Sequence, residues 1–484
     1  MSAAQSGSLE LNYGLDDVPK PFPKAVGLGL QHVLTMFGAT ILVPFLVGPA
    51  LGFGSTDIAI LISSVFICSG VATALQVTIG TRLPIVQGVS FAFLAPFFAI
   101  AATYQGADGM RYIAGMVISG ALIQMIIGFG GLMGFLRRFI SPITIGPVIA
   151  LIGLSLFGAA ADTASLNWPL SLLTLVLIFV FSLVLAPKVR LFSLFPILLA
   201  IVVAYVVALI FTWAGPAQGT AAGVSFAGLG DAPWLRGAEV GGGGIIFPWG
   251  TPLFDFTFFI AILAAYLAST IESFGDYHAI SRIAGAGDPD SKTINRGIGA
   301  EGIGCALTGV FGGFASTSYS ENIGLVGLTK VASRAVVLIG AVALVVMGLV
   351  AKIGAVVATI PAPIVGGVYL AVFGLIAAVG LSNLRRADMD SQRNLMIVGL
   401  VLFSGFVMPA YFGSVGADFD FFGIGWLTTF ISSIGSSHIA TAAVLGLLLD
   451  NLIPGTDEER GLGAYDVIIP PSDLPGAQSL RDKT

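Results

Sequence analysis

Residues 316–324 read Ser316-Thr317-Ser318-Tyr319-Ser320-Glu321-Asn322-Ile323-Gly324. Seven of these nine side chains are polar, in a chain that is 56% hydrophobic. They lie between Leu307-Thr308-Gly309-Val310-Phe311 and an apolar run that begins at Ala335. The placement is unexpected because composition demands a membrane there. Mean hydropathy is +0.97, and only 10% of residues are charged, where soluble domains carry about a quarter. Apolar runs of about 20 residues, each long enough to span a bilayer, recur along the chain. A transmembrane barrel would instead show short alternating segments. The expected class is therefore an all-α polytopic membrane protein. Residues 1–23 are polar and contain Pro21 and Pro23, unlike a secretory signal. Cys68 and Cys305 sit in apolar runs and read as packing residues.

Working outward, the hydropathy pattern predicts spans near 25–47, 57–79, 85–104, 112–135, 140–160, 169–187, 191–213, 253–281, 297–313, 317–329, 335–356, 364–382, 393–411 and 437–453. The third and the tenth are weak as continuous helices. A hydrophilic stretch, 214–252, divides the fourteen into two sets of seven. Basic residues support the count. With the N-terminus in the cytoplasm, 18 of the 21 Lys and Arg residues fall on the inner side, including Arg481 and Lys483, and only Arg111, Arg236 and Lys352 fall outside. Dropping one span scrambles that bias.

Seven is odd, so two tandem seven-span units insert in opposite orientations. Inverted repeats of this kind are typical of secondary transporters, whose sites form where broken helices meet near the midplane. The third span contains Gln87-Gly88-Val89-Ser90-Phe91-Ala92-Phe93-Leu94-Ala95-Pro96, in the place that Ser316–Gly324 occupies in the second half. Both stretches are short, interrupted and rich in Gly, Ser and aromatic residues. Non-helical backbone at this depth is tolerated only where protein or a hydrated cavity satisfies its amides. The matched pair thus predicts a site.

Titratable residues gather around it. Glu272 and Asp276, in the eighth span, are four apart and share a helix face with Ser269. A carboxylate at mid-membrane costs about 3 kcal/mol on insertion scales, so two on one face imply a hydrated or protein-lined interior. Such a pair can carry a proton. The simpler expectation for Asp276 is a place near the helix end, meeting Arg282 or water. Gln31, His32 and Thr35 lie in the first span, and His32 reads best as making a helix–helix hydrogen bond, able to orient a neighbouring carboxylate without touching substrate. Glu301 lies among glycines in the ninth span, with His32 or Asn295 as expected partners. His278 and His438 read as structural. Ser320 is expected as an N-cap, placing Glu321 in the first turn of a half-helix over 321–329. A carboxylate beside free backbone amides suits a planar ring with alternating N–H and C=O groups.

The run Glu321-Asn322-Ile323-Gly324-Leu325-Val326-Gly327-Leu328-Thr329-Lys330, the pair Gln31-His32, and Phe91 after Ser90 resemble the nucleobase–ascorbate transporters, also called the nucleobase:cation symporter-2 or xanthine/uracil permease family. The resemblance runs from about residue 20 to residue 455. It implies two inverted seven-span repeats, with short strands in spans three and ten that pair around the substrate. A core domain would comprise 24–135 and 253–356, and a gate domain 136–214 and 357–454. The tails 1–23 and 455–484 would be cytoplasmic and 215–252 extracytoplasmic. By position, Glu272 and Glu321 would hydrogen-bond the base, Phe91, Ser90 and Ser320 would contact it, and Asn322 would shape specificity. His32, Asp276, Glu301 and Glu272 would serve proton coupling.

The expected function is proton-coupled nucleobase import through the cell membrane, by a homodimer joined at its gate domains, with no cofactor, metal, nucleic acid or enzymatic activity. Bacterial uracil permeases often carry His at the Asp276 position, and many xanthine permeases carry Gln at the Glu321 position. The choice between uracil and xanthine stays open. The competing expectation is an anion transporter on similar architecture, whose site would rest on helix N-termini and a cation rather than on two carboxylates.

Overall fold

The computed structural model describes residues 11–139, 141–237, 239, 241–415 and 419–462. Residues 1–10 and 463–484 of the expected tails, with Arg481 and Lys483, lie outside them. The first half comprises α1 (Phe22–Ala50), α2 (Ser55–Thr78), strand β1 (Gln87–Val89), a 3-10 turn (Phe91–Phe93) and half-helix α3 (Leu94–Thr103). It continues through α4 (Gly106–Phe129), α5 (Met133–Leu136), α6 (Pro142–Ser155), α7 (Phe157–Ser165), α8 (Trp168–Phe179), α9 (Arg190–Leu194) and α10 (Pro196–Trp213). The second half repeats the order: α11 (Phe256–Ile283), α12 (Ser291–Val310), β2 (Ser316–Ser318), α13 (Ser320–Thr329), α14 (Arg334–Leu349), α15 (Ala351–Val357) and α16 (Ala362–Asn383). It ends with α17 (Gln392–Val415), α18 (Gly425–Gly435), α19 (His438–Leu452) and α20 (Asp457–Arg460).

Among the described residues, nine helices are long and apolar enough to cross a membrane, or ten if α14 and α15, bent by 84° at Val350, form one span. This is a mostly helical, multi-pass membrane protein. Both weak spans are broken as expected, each a strand of three residues followed by a half-helix of ten. The sequence reading missed α18, which lies between the last two expected spans.

Packing repeats with the halves exchanged. Helix α2 packs on α14 as α12 packs on α4, and α1 packs on α3 and α13 as α11 does. Glycines permit these close approaches. A Cβ on Gly70 would lie 2.5 Å from the Ala341 carbonyl oxygen, and one on Gly128 would lie 2.1 Å from the Gly299 nitrogen. The loop between the halves is docked by Arg236, which donates to Ser64 Oγ at 2.9 Å and to the Gly243 and Gly244 carbonyls. Burial lowers its pKa to about 10, so it stays charged at neutral pH.

Candidate functional site

The two broken spans meet at β1 and β2. The strands pair antiparallel, with Gln87 opposite Ser318, Gly88 opposite Thr317 and Val89 opposite Ser316. Two flanking bonds extend the ladder, from Ser90 N to Ala315 O and from Tyr319 N to Val86 O, both at 3.0 Å. Three-residue strands inside a bilayer need side-chain help for their outer edges. Thr73 Oγ1 accepts from Gln87 N at 2.9 Å and donates to Gln87 O at 3.3 Å. On the other strand, Cys305 Sγ accepts from Ser316 N at 3.3 Å and donates to Ser316 O at 3.2 Å. Thr73 and Cys305 thus clasp the two strands in the same way from α2 and α12. This explains a buried free cysteine that the sequence reading assigned to packing alone.

Helix α11 passes beside this crossing and packs on β2, α13 and the 3-10 turn at Phe91. Its i,i+4 pairs divide the labour. Glu272 and Asp276 form one pair, and Ser273 and Tyr277 form the next. Asp276 is buried, and its two oxygens accept from Ser318 Oγ and Ser320 Oγ, each at 2.8 Å. Its expected partner, Arg282, pairs instead with Asp288. Ser320 is therefore the first residue of α13, with Tyr319 in the capping position, and its hydroxyl holds Asp276 rather than capping the helix as expected. Glu321 falls in the first turn, as expected, and is exposed.

Glu301 is almost fully buried and accepts three hydrogen bonds, from Ser273 Oγ at 2.6 Å, Tyr277 Oη at 2.9 Å and Gln124 Nε2 at 3.0 Å. These replace the expected partners, His32 and Asn295. His32 is buried against Asn322, whose amide nitrogen lies 3.2 Å from His32 Nδ1 and donates to the His32 carbonyl at 3.0 Å. The histidine thus takes part in a contact between α1 and α13, the helix–helix bond expected of it, with an amide rather than a carboxylate as partner. His278 contacts the Phe274 carbonyl from Nδ1 at 2.9 Å, and His438 begins α19, edge-on to Phe406. Both positions fit the structural roles expected.

Glu272 contrasts with these residues. Among the described residues its carboxylate makes no hydrogen bond, and it is partly accessible. Asp276, Glu321 and Glu301 lie within its electrostatic reach. Ser269, expected on its face, is buried, and its hydroxyl has no hydrogen-bond partner among the described residues. Ser90 Oγ accepts from Ala92 N and so starts the 3-10 turn, while the Phe91 ring meets Phe373 edge-on at 6.0 Å between centroids. The site thus gathers Glu272, Asp276, Ser320 and Glu321 beside the strand crossing, and sets Glu301 and His32 one layer behind.

Sequence reasoning did not find Ser273, Tyr277, Gln124 or Ser318. The i,i+2 spacing of Ser318 and Ser320 was a usable signal, because two hydroxyls leaving a strand can reach one carboxylate. Gln124 came from a distant span and carried no local signal. Gln87 was also unassigned. It is wholly buried, and neither polar atom of its side-chain amide has a hydrogen-bond partner among the described residues.

Two helical halves joined through paired broken spans, with membrane carboxylates gathered at the crossing, define a secondary-transporter architecture. Solved membrane transporters share the fold. The transmembrane domain of the cyanobacterial bicarbonate transporter BicA aligns with a TM-score of 0.53 at 15% identity, covering 87% of this chain and 99% of that one. The murine anion transporter Slc26a9, in its inward-facing state, aligns with a TM-score of 0.58 at 13% identity, covering 81% of this chain and 66% of that one. Sequence narrows the class. The permease family model Xan_ur_permease matches residues 23–414. Solute carrier family 23 member 2 of Rattus norvegicus is 37% identical over 502 residues, covering 94% of this chain and 76% of the relative. Nucleobase-ascorbate transporter 1 of Arabidopsis thaliana is 34% identical over 487 residues, covering 94% of this chain and 91% of the relative. The chain belongs to the nucleobase–ascorbate transporter family, whose members are transporters and not enzymes.

Proposed function

We propose that this protein imports a nucleobase, uracil or a xanthine-type purine, by proton symport across the cell membrane. The observation that carries the reading is the Glu272 carboxylate, partly accessible inside a membrane helix and without a hydrogen-bond partner among the described residues. Such a group needs a proton or a ligand N–H. A nucleobase supplies N–H groups to Glu272 and Glu321, and its carbonyl oxygens suit the amides at the start of α13. Phe91, Ser90 and Ser320 line the approach at the two strand exits. His32 acts through Asn322, and Asp276 and Glu301 set the local charge around Glu272.

The packing supports a core of α1–α4 with α11–α15 and a gate of α6–α10 with α16–α19, moving against each other like an elevator. The face of α13 that carries Glu321, Gly324 and Leu328 is exposed, while Phe91 meets the gate residue Phe373. With both termini cytoplasmic, as the basic-residue bias indicates, that arrangement is an inward-facing state. Homodimerisation through the gate domains completes the reading. The names of the plant relatives support a nucleobase cargo. Anion transport is disfavoured because Glu272 and Glu321 repel an anionic cargo.

The test is uptake of radiolabelled uracil and xanthine into proteoliposomes under an imposed inward proton gradient. Accumulation that collapses with the gradient supports the reading, as does its loss in Glu272→Gln. Concentrative uptake that persists undiminished in Glu272→Gln at every pH would sink it.

A further inference from the structure

Half-helix α13 carries Glu321 in its first turn, yet it is only ten residues long. Isolated helices of that length are marginal. The last carbonyls of any helix also lack intrahelical donors. At the C-terminal end of α13, Lys330 turns the chain with a φ of +57° and donates to Val326 O. Two further carbonyls, those of Thr329 and Lys330, are met by residues that precede the first span. Asn12 Nδ2 donates to Thr329 O at 2.8 Å. The backbone amides of Asn12 and Tyr13 donate to Lys330 O at 2.8 and 3.3 Å.

The contact continues along the α13–α14 connection. Tyr13 bridges Val331 in parallel, Ala332 N donates to Tyr13 O at 2.9 Å, and Arg334 N donates to Leu15 O at 3.0 Å. Arg334 also pairs with Asp16. Lys24, near the start of α1, donates to Tyr13 Oη at 2.8 Å. On the inner side of this segment, Leu11 and Leu15 pack against an apolar cluster containing Ile323 and Val326 of α13 and Phe274, Tyr277 and Ile280 of α11. The same few residues thus bond to the end of α13 and pack on a cluster that α13 shares with α11, the helix that carries Glu272, although Asn12 and Thr329 lie 317 positions apart in sequence.

We propose that residues 11–17 form a strap that sets the depth of α13 and so positions Glu321 for substrate, with Asn12 as its positioning residue. The inference rests on the nucleobase site proposed above. Asn12 does not touch substrate. It closes the far end of the half-helix, so a shift there is delivered to the first turn along a rigid rod of ten residues. Leu11 and Leu15 tie the same shift to α11.

The experiment measures base uptake and apo thermal unfolding for the full-length wild type, Asn12→Ala, Asn12→Asp and Asn12→Ser in proteoliposomes and detergent. Whichever of uracil and xanthine the wild type accumulates is the probe. Asn12→Asp keeps the shape and loses the donor, and Asn12→Ser keeps a donor. The expected result is a KM about fivefold higher in Asn12→Ala and Asn12→Asp, the size of one lost hydrogen bond. The apo unfolding temperature and the turnover at saturation should stay near wild type, with partial recovery of KM in Asn12→Ser. A KM within twofold of wild type in both donor-less variants overturns the strap. So does a fall in stability with no change in KM, which marks a purely structural contact. If the wild type accumulates neither base, the proposed cargo fails rather than the strap, and the KM comparison is then read with the base or ascorbate that a thermal-shift screen of the wild type selects.

Discussion

Ser320 donates its hydroxyl to Asp276 Oδ1 at 2.8 Å, joining the first residue of α13 to the middle of α11. Ser318, two residues earlier, donates to Oδ2 of the same carboxylate at the same distance. One side chain of the eighth span is therefore held by the strand and by the half-helix that follows it. Asp276 is the point where the geometry of the broken tenth span is felt by the carboxylate helix.

Removing one donor should separate binding from folding. Hydrogen bonds to charged groups contribute about 1.5–3 kcal/mol. Ser320 is exposed, so its loss should fall at the low end. We expect Ser320→Ala to raise KM for the transported base about tenfold and to leave apo stability nearly unchanged. Ser318→Ala, at a buried position, should lower the apo unfolding temperature as well. Uptake kinetics and thermal unfolding of the two variants check this. Equal stability losses in both would contradict the distinction.

The two glutamates near the crossing should behave differently. Glu301 is saturated by Ser273, Tyr277 and Gln124, whereas Glu272 makes no hydrogen bond among the described residues. Glu301→Ala strands buried donors, each at about 1–3 kcal/mol, and should markedly lower the unfolding temperature of the apo protein. Glu272→Gln breaks no hydrogen bond among the described residues and should leave that temperature near wild type while abolishing gradient-driven accumulation. Differential scanning fluorimetry beside proteoliposome uptake separates the two. The reverse pattern of stability losses would show that Glu272, not Glu301, is the carboxylate that holds the fold together.

Much of this arrangement was legible in the chain because a membrane makes polarity conspicuous. Glu272, Asp276, Glu301 and the Ser316–Gly324 stretch stand out against apolar neighbours, and the charge bias over short loops argued for spans that hydropathy alone did not. The partners of the carboxylates were not legible. Glu301 meets Gln124, 177 positions away in sequence, and no local pattern encodes which helix faces which. Ser320 was misread as a cap because Ser at a helix start usually bonds its own backbone. Here a buried carboxylate competes for the hydroxyl and wins. The α18 segment was missed because it is only 11 residues long and sits beyond a turn rich in Phe, Asp and Gly.

The strand crossing leaves no room at Gly88. A Cβ there would lie 2.5 Å from Tyr319 Cζ. The ring cannot swing aside freely, because its hydroxyl donates to Val89 O at 3.0 Å and its own amide bonds Val86 O. Gly88→Ala should therefore push β1 from β2, lower the unfolding temperature and abolish base uptake. Gly374→Ala, where nothing lies within 4 Å of the added carbon, should be close to wild type in both measurements. Wild-type uptake by Gly88→Ala would mean that the crossing is looser than its contacts require.

Glu321 is where cargo selection should be decided. It lies in the first turn of α13, exposed on the same face as Gly324 and Leu328, where a ligand bound as proposed beside the crossing would meet it. As a carboxylate it offers two acceptors and no donor. It therefore favours a ring edge that presents N–H groups. Glu321→Gln keeps the size and replaces one acceptor with an N–H donor, which rewards a ring that presents a carbonyl or an unprotonated nitrogen at that edge. Pairing lost or gained with a polar group that the bound cargo covers discriminates between similar cargoes. We expect Glu321→Gln to shift preference from uracil toward xanthine-type purines. The measurement is competition of unlabelled uracil, xanthine, hypoxanthine, guanine, adenine and urate against a labelled base in wild type and variant. Unchanged selectivity together with unchanged affinity would remove Glu321 from direct contact and leave Glu272 as the carboxylate that meets the cargo.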